Sequence, residues 1–441
     1  MPDIVGLENH KPTSLGGIAQ RAAARKDHRF QDLYGLLDAG FLWQCWDDLN
    51  KNAASGVDGV TAQAYEADLL ANLENLASRL KAKHYRAKLV RRCYIPKPNG
   101  DLRPLGIPAL EDKLVQLACT RIMEAIYEQD FLPVSYGYRR GLGAKDAVSD
   151  LGFRLQYGRF GFVVEADIQA FFDNLDHDWL LRMLALRIDD QAFLHLIRKW
   201  LKAGVLDVGG AILYPEEGSP QGGVISPILA NIYLHYALDL WFERRVRPNC
   251  RGQAVLVRYA DDFVCAFEYQ SEAQRFFRVL PDRLGQFGLQ VAPAKTRIQR
   301  FTRFLPGLSR RFAFLGFELY WDRDRQGVPR VMKRTARKTL QRAKQKMKEW
   351  IRSNRHLPGR QFVKALNRKL VGHYQYFGLR TNSQSLSTFY HFTIGCAFKW
   401  LNRRGGKKAS FSWPVFTQSL KKLGIALPRI VEQPKRQAVF A

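Results

Sequence analysis

Three aspartates carry the chemistry open to this sequence. Asp261 and Asp262 are neighbours in Tyr259-Ala260-Asp261-Asp262, and Asp167 closes the apolar run Phe160-Gly161-Phe162-Val163-Val164-Glu165-Ala166. Two adjacent ionised carboxylates repel, so a fold gains little from the pair unless a cation joins it. Hard oxygens that leave room for waters and phosphate oxygens suit Mg²⁺. Two such ions about 3.5–4 Å apart activate an attacking oxygen and stabilise a leaving one in phosphoryl transfer. An Asp ending a strand is often only a helix cap. Asp167 gains weight only if the Asp pair lies beside it in one sheet.

The elements that must position these acids are written around them. Ala254-Val255-Leu256-Val257-Arg258 and Phe263-Val264-Cys265-Ala266-Phe267 flank the pair and predict a β-hairpin with its acids at or near the turn. Residues 90–108 predict two short strands joined by Pro98-Asn99-Gly100, with Lys97 and Arg103 beside the turn. Two cations there can reach one triphosphate, and they read equally well as a solvated basic loop. Ser135-Tyr136-Gly137-Tyr138-Arg139-Arg140-Gly141 is a loop whose aromatic and arginine content suits a nucleic-acid backbone. Asp173, Asp176 and Asp178 read as caps and first-turn acids of a helix near Trp179, with His177 a local hydrogen-bonder. Glu217 to Pro227 read as a Gly-rich turn opening a helix from Ile228 to about Leu240, without the Gly-Lys-Ser/Thr of a Walker loop, or as a plain loop and helix cap.

Residues 1–30 are polar and basic and predict a mobile or partner-ordered arm. Helical patterns cover 33–49, 62–80 and 114–126, and 311–319 read as one strand with a closely packed glycine. Beyond about residue 330, three amphipathic helices follow, with apolar stripes through Leu340–Ile351, Phe362–Tyr374 and Leu386–Leu401 and basic outer faces. The last stretch is basic and aromatic, with Phe411, Trp413 and Phe416.

Composition narrows the partner. The formal net charge is +28, from 69 Lys and Arg against 41 Asp and Glu, and it is dense towards the C-terminus. That balance favours an extended polyanion over a small acidic ligand. No apolar run reaches membrane-spanning length and no signal-peptide core opens the chain, so no membrane role and a cytoplasmic location are expected. Six dispersed cysteines support neither zinc nor disulfides. Acids for two metals, cations for a triphosphate and a basic scaffold together describe a nucleotidyl transferase, a polymerase.

In their order, Val90–Pro108, Phe171-Phe172-Asp173-Asn174-Leu175-Asp176-His177, Ser219–Pro227, Tyr259–Asp262 and Phe314-Leu315-Gly316-Phe317 closely resemble the group II intron reverse transcriptase/maturase family, from about Gly56 onward. The resemblance implies an α+β right-hand fold. Its parts would be an N-terminal extension and helical start of the fingers (1–89), fingers (90–160), an antiparallel-sheet palm with interleaved fingers segments (161–325), a helical thumb or maturase domain (326–404) and a basic DNA-binding tail (405–441). It implies that Asp167, Asp261 and Asp262, with the Ile168 backbone carbonyl, hold two Mg²⁺ ions, Mn²⁺ being an alternative. Lys97, Arg103, Phe172, Gln221 and Lys295 would bind the dNTP, Phe172 as the gate against a ribose 2′-OH. Tyr259, Ala260, Arg139 and Gly222 would meet primer and template. Implied partners are structured intron RNA, an RNA template, a DNA primer or target and dNTPs, with a homodimer left open.

Three departures qualify the resemblance. The final residues carry no Cys- and His-containing endonuclease module, so primers are expected from replication forks or a partner nuclease. Arg140 replaces a frequent proline and Ala294 a frequent Glu, both outside the proposed chemistry. Retron signatures (Asn-Ala-x-x-His and Val-Thr-Gly) are absent despite the shared Tyr-Ala-Asp-Asp. Two alternatives stay open: a domesticated enzyme serving phage defence, DNA repair or CRISPR adaptation, and an RNA-binding splicing factor whose polymerase site is idle.

Overall fold

The computed structural model describes residues 14–96, 100–214, 217–218, 222–304, 306–307, 310–403 and 410–432. The chain divides into two compact units, one drawn from 1–140, 166–249 and 276–296, the other from 141–165, 250–275 and 297–441. Helices and mainly antiparallel sheets make up both, the α+β class.

The first unit is built around helix Leu110–Tyr127, whose Leu114, Ala118, Cys119, Ile122 and Ile126 are fully buried. Helix Leu15–Ala24 packs on it. This corrects the expected mobile arm: Ser14 accepts the Gly17 N–H at 3.1 Å, and Ile18 and Ala22 are buried. Two apolar positions one turn apart are too few to show a period in sequence. Residues 1–13 lie outside the described residues. The expected helix 62–80 is two helices, Ala62–Glu66 and Leu69–Lys81, the first capped by Thr61.

A four-stranded sheet of this unit runs in the order Leu102–Ile107, Val90–Pro96, Val205–Leu206, Ile212–Leu213. The first two strands form the predicted antiparallel pair, with Ile95 opposite Arg103. Burial falls from Val90 towards Pro96, so the pair reaches outward into solvent. Asp176 caps helix His177–Ala185 by accepting the Trp179 N–H at 2.7 Å, as expected. His177 is a hydrogen-bonder, but not a local one: its Nε2 lies 2.6 Å from the Gly218 carbonyl, 41 residues away.

In the second unit a four-stranded sheet is ordered Ala254–Tyr259, Asp262–Phe267, Phe162–Ala166, Arg297–Arg300. Its two inner strands are nearly continuous apolar runs, as burial of both faces requires. A three-stranded antiparallel sheet combines Phe312–Phe314, Phe317–Arg323 and Pro329–Thr335. The single strand expected over 311–319 is therefore wrong. The chain reverses at Leu315 (φ +49°) and Gly316 (φ +79°), and Phe314 pairs with Phe317. A left-handed leucine costs about 1–2 kcal/mol, and the turn lacks the Asn-Gly sequence that advertises such hairpins.

The three basic helices are Arg337–Asn354, Gly359–Phe377 and Ser383–Leu401. Met347, Ile351, Leu366, Leu370, Leu386 and Ile394 are buried among them, while Arg337, Lys338, Arg342, Lys346, Lys348 and Arg352 are exposed on the first. The tail contributes a helix, Trp413–Lys422, that buries Phe416 and Leu420. Glu432 fastens its end, accepting Lys333 Nζ at 2.9 Å and Ser149 Oγ at 2.5 Å. Among the described residues, no helix is long and apolar enough to cross a membrane.

Candidate active site

The Asp pair sits on the predicted hairpin. Tyr259 pairs with Asp262, so Ala260 and Asp261 are the two turn residues. Ala260 is left-handed (φ +55°), at a position where a two-residue turn normally takes glycine, and is almost fully buried. Arg258 holds it there. Its side chain is completely buried, and Nη1 donates to the Ala260 carbonyl at 3.0 Å. Arginine is almost never fully buried unless its charge and donors are engaged. The carboxylates consequently project from a fixed turn, Asp261 half-buried and Asp262 exposed. Sequence reasoning missed Arg258; a cation closing an apolar strand just before a turn was the available signal.

Strand Phe162–Ala166 lies beside Asp262–Phe267 in that sheet. Gly161 N–H donates to the Phe267 carbonyl at 2.9 Å. The start of one strand thus meets the end of the other: the two run antiparallel, and the Ala166 end lies at the Asp262 end. Glu165, also missed from sequence, holds this edge together. Its carboxylate accepts Arg297 Nε from the neighbouring strand and the Ala313 N–H at 2.8 Å.

Asp167 and Ile168 belong to the first unit. The Asp167 carbonyl accepts the Ala292 N–H at 2.8 Å, and Gln169 N–H donates to the Gln290 carbonyl at 2.8 Å. These bonds flank the Ile168–Val291 bridge without using the Ile168 carbonyl, which points away from its partner as in a non-hydrogen-bonded antiparallel pair. The Asp167 carboxylate is ion-paired with Lys295 Nζ, so the lysine expected near phosphates stands at a proposed metal ligand.

Phe172 follows the left-handed Ala170; its neighbour Phe171 is buried, whereas the Phe172 ring is half-exposed and meets Phe171 edge to face at 5.4 Å. Arg103 is exposed on its strand. Lys97 and Gln221 lie outside the described residues. Gly222 (φ +111°) is needed for close backbone approach to a strand: a Cβ there would lie 2.6 Å from the Gly106 carbonyl. Arg139, expected to meet primer or template, is engaged within the fold. Its guanidinium pairs with Glu128 at 2.9 Å and donates to the Leu132 and Ser135 carbonyls at 3.1 and 2.8 Å.

Among the described residues no three His, Cys, Asp or Glu side chains are drawn together as a metal cage. The donor types themselves fit Mg²⁺: three carboxylates and a backbone carbonyl are all hard oxygens.

The profile described as reverse transcriptase (RNA-dependent DNA polymerase) matches residues 95–319, just over half of the chain. The chain belongs to the reverse transcriptase family. Residues 340–415 match the group II intron, maturase-specific domain, so the motif resemblance to group II intron reverse transcriptase/maturases holds, and with it the right-hand polymerase class. Among relatives, Protein YkfC of Escherichia coli (strain K12) is 36% identical over 305 residues, 63% of this chain and 78% of that protein. Group II intron-encoded protein LtrA of Lactococcus lactis subsp. cremoris is 36% identical over 255 residues, 55% of this chain but 42% of LtrA. Among solved structures, telomerase from Candida albicans in complex with the TWJ fragment of telomeric RNA aligns with a TM-score of 0.42 and 14% identity, over 78% of this chain and 64% of that one. A likeness that low carries no argument.

Proposed function

We propose that this reverse transcriptase-family protein is an active RNA-directed DNA polymerase that adds dNTPs to a primer on an RNA template, and that it binds structured intron RNA to assist splicing. The observation carrying the polymerase half is the clamped Asp261-Asp262 hairpin, in the same sheet as the strand that runs into Asp167, within the family-matched segment. Asp167, Asp261, Asp262 and the Ile168 carbonyl would hold two Mg²⁺ ions, or Mn²⁺ in their place. When bound, the pair supplies activation of the primer 3′-oxygen and charge stabilisation of the leaving pyrophosphate.

The remaining roles fall to the chain's own groups. Lys295 must leave the Asp167 carboxylate for a metal to share that oxygen, and its ammonium then turns to the substrate phosphates, which offer the same hydrogen-bond chemistry. Arg103, exposed on its strand, would neutralise the triphosphate, and Lys97 is assigned the same role. The half-exposed Phe172 ring excludes a 2′-OH, Gln221 meets the nascent base pair, and Tyr259 with Ala260 supports the primer end. The exposed cations of helix Arg337–Asn354 suit phosphate contacts with intron RNA, and the fingers, palm and thumb limits belong to the same proposal.

Full-length protein given a primed RNA template, dNTPs and Mg²⁺ should make cDNA, and Asp261→Ala should not. An Asp261→Ala protein as active as wild type sinks the site assignment. For the maturase half, unspliced intron precursor should splice at lower Mg²⁺ with the protein than without it; an unchanged Mg²⁺ requirement removes that half and leaves the polymerase standing.

A further inference from the structure

Phe172 is supported by a segment far along the chain. It lies in the short turn Phe171–Asp173, which follows the left-handed Ala170. Its ring meets Phe171, which is buried and packs edge to face on Tyr233 at 6.4 Å. Its backbone is backed by Gly218. That residue is buried with φ +90°, and a Cβ on it would lie 2.7 Å from the Asp173 carbonyl oxygen and 3.0 Å from that of Phe172. Glycine alone allows two backbones to approach this closely. The Phe172-Asp173 backbone therefore rests on Gly218.

Two hydrogen bonds hold Gly218 in place. Its N–H donates to the Leu175 carbonyl at 2.8 Å, and its own carbonyl lies 2.6 Å from His177 Nε2. A carbonyl only accepts, so Nε2 carries a proton and donates it. His177 is 6% exposed and opens the helix that Asp176 caps, so its ring has little freedom. Its Nδ1 is buried and meets no hydrogen-bond partner among the described residues. An unpaired buried ring nitrogen costs stability that an apolar side chain would not, so packing alone does not call for a histidine here. What the imidazole supplies is a donor to the carbonyl that seats Gly218 against Phe172.

We propose that His177 is a positioning residue for sugar selection: by holding Gly218 against the Phe172-Asp173 backbone, it sets the place of the Phe172 ring and the clearance left for a ribose 2′-OH. The proposal rests on the polymerase reading above, with Phe172 as its gate. A gate that separates substrates differing by one oxygen tolerates little movement, because a small displacement of the ring makes room for that atom. A buried histidine that touches no substrate would thus decide which nucleotide the site accepts.

The test uses full-length protein on a primed RNA template with Mg²⁺ and compares kcat/KM for rNTPs with that for dNTPs. His177→Leu removes the donor and should raise rNTP use relative to dNTP use about five- to tenfold, the loss of one hydrogen bond expressed as a rate ratio. If that variant does not fold, His177→Asn, whose amide stops short of the carbonyl, carries the same expectation. His177→Gln, whose longer amide reaches it, should return the ratio to within about twofold of wild type. Phe172→Ala should relax selection most, and adding His177→Leu to it should change the ratio less than about twofold, since both act through one ring. Wild-type selection in His177→Leu and His177→Asn overturns the proposal. So does relaxation in His177→Gln equal to that in His177→Leu, or a full further loss when His177→Leu is added to Phe172→Ala. A wild type that extends no primer overturns the polymerase reading, and wild-type selection in Phe172→Ala overturns the gate; both are distinguishable from failure of the His177 assignment.

Discussion

Two antiparallel hairpins carry opposite charges in opposite settings. The acid hairpin, Ala254–Tyr259 with Asp262–Phe267, is buried along most of its length, and its turn is clamped by a buried arginine. The basic hairpin, Val90–Pro96 with Leu102–Ile107, exposes Tyr94, Ile95 and Leu102 towards its tip and places Arg103 in solvent. The difference suits the roles proposed for each charge. Carboxylates that share metals need fixed separations, which only a packed scaffold provides. Cations that gather a flexible triphosphate need reach, and an exposed strand pair supplies it.

Substitutions can break that contrast. The largest effect should come from Asp262→Asn, because metal-borne charge stabilisation of several kcal/mol corresponds to roughly 10³-fold in rate. Its melting temperature should stay near wild type, since Asp262 is exposed; an unfolded variant would count against a purely chemical role. Arg258→Met should do both kinds of damage, lowering stability by about 3 kcal/mol as a buried hydrogen-bonded charge is lost and reducing activity with it. Chemical denaturation measures the first, and an unchanged midpoint would show that the turn holds without its clamp.

Arg103→Ala should raise the dNTP KM about tenfold through one lost charge-assisted contact, without a change in melting temperature. Equal loss of stability would erase the distinction between the hairpins. Phosphate contacts by the basic helices should give RNA affinity a log–log salt slope of roughly −0.7 per contact on single strands. A flat salt response would remove them from the interface.

An effect confined to acid pH concerns His373, stacked on Phe389 at 3.8 Å, whose pKa burial pushes down to about 4 from the ordinary 6.5. The unfolded chain binds the proton first. Stability from the neutral folded ring is therefore complete above pH 6.5 and is lost progressively as pH falls towards 4. His373→Phe should flatten that part of the stability–pH curve; an unaltered curve would assign the acid sensitivity to other groups.

Much of this was legible in sequence because it is local. The acid hairpin announces itself by β-rich runs around an Asp pair, and the three basic helices by their apolar stripes. The Asp176 cap needed only its neighbours. Other features depend on partners far along the chain. The Arg258 clamp left only a faint signal, a cation closing an apolar strand, because sequence does not state which cation will be buried. His177 reads as a local hydrogen-bonder, since its partner Gly218 lies 41 residues away. Leu315 has no turn signature, so 311–319 looked like one strand. Arg139 lies in a loop whose aromatic and arginine content suits a nucleic-acid backbone, and only the fold shows Glu128 and two carbonyls engaging it.

The central claim is that Asp167 and the Asp261-Asp262 turn serve one metal centre. Fe²⁺ in place of Mg²⁺, with ascorbate and peroxide, generates hydroxyl radicals that cut the backbone beside the bound metal. With primed RNA template and dNTP present, fragments should end near residue 167 and near residues 261–262 in the same sample, and excess Mg²⁺ should suppress both sets together. Cuts at one segment without the other, or cuts insensitive to Mg²⁺, would contradict the shared centre.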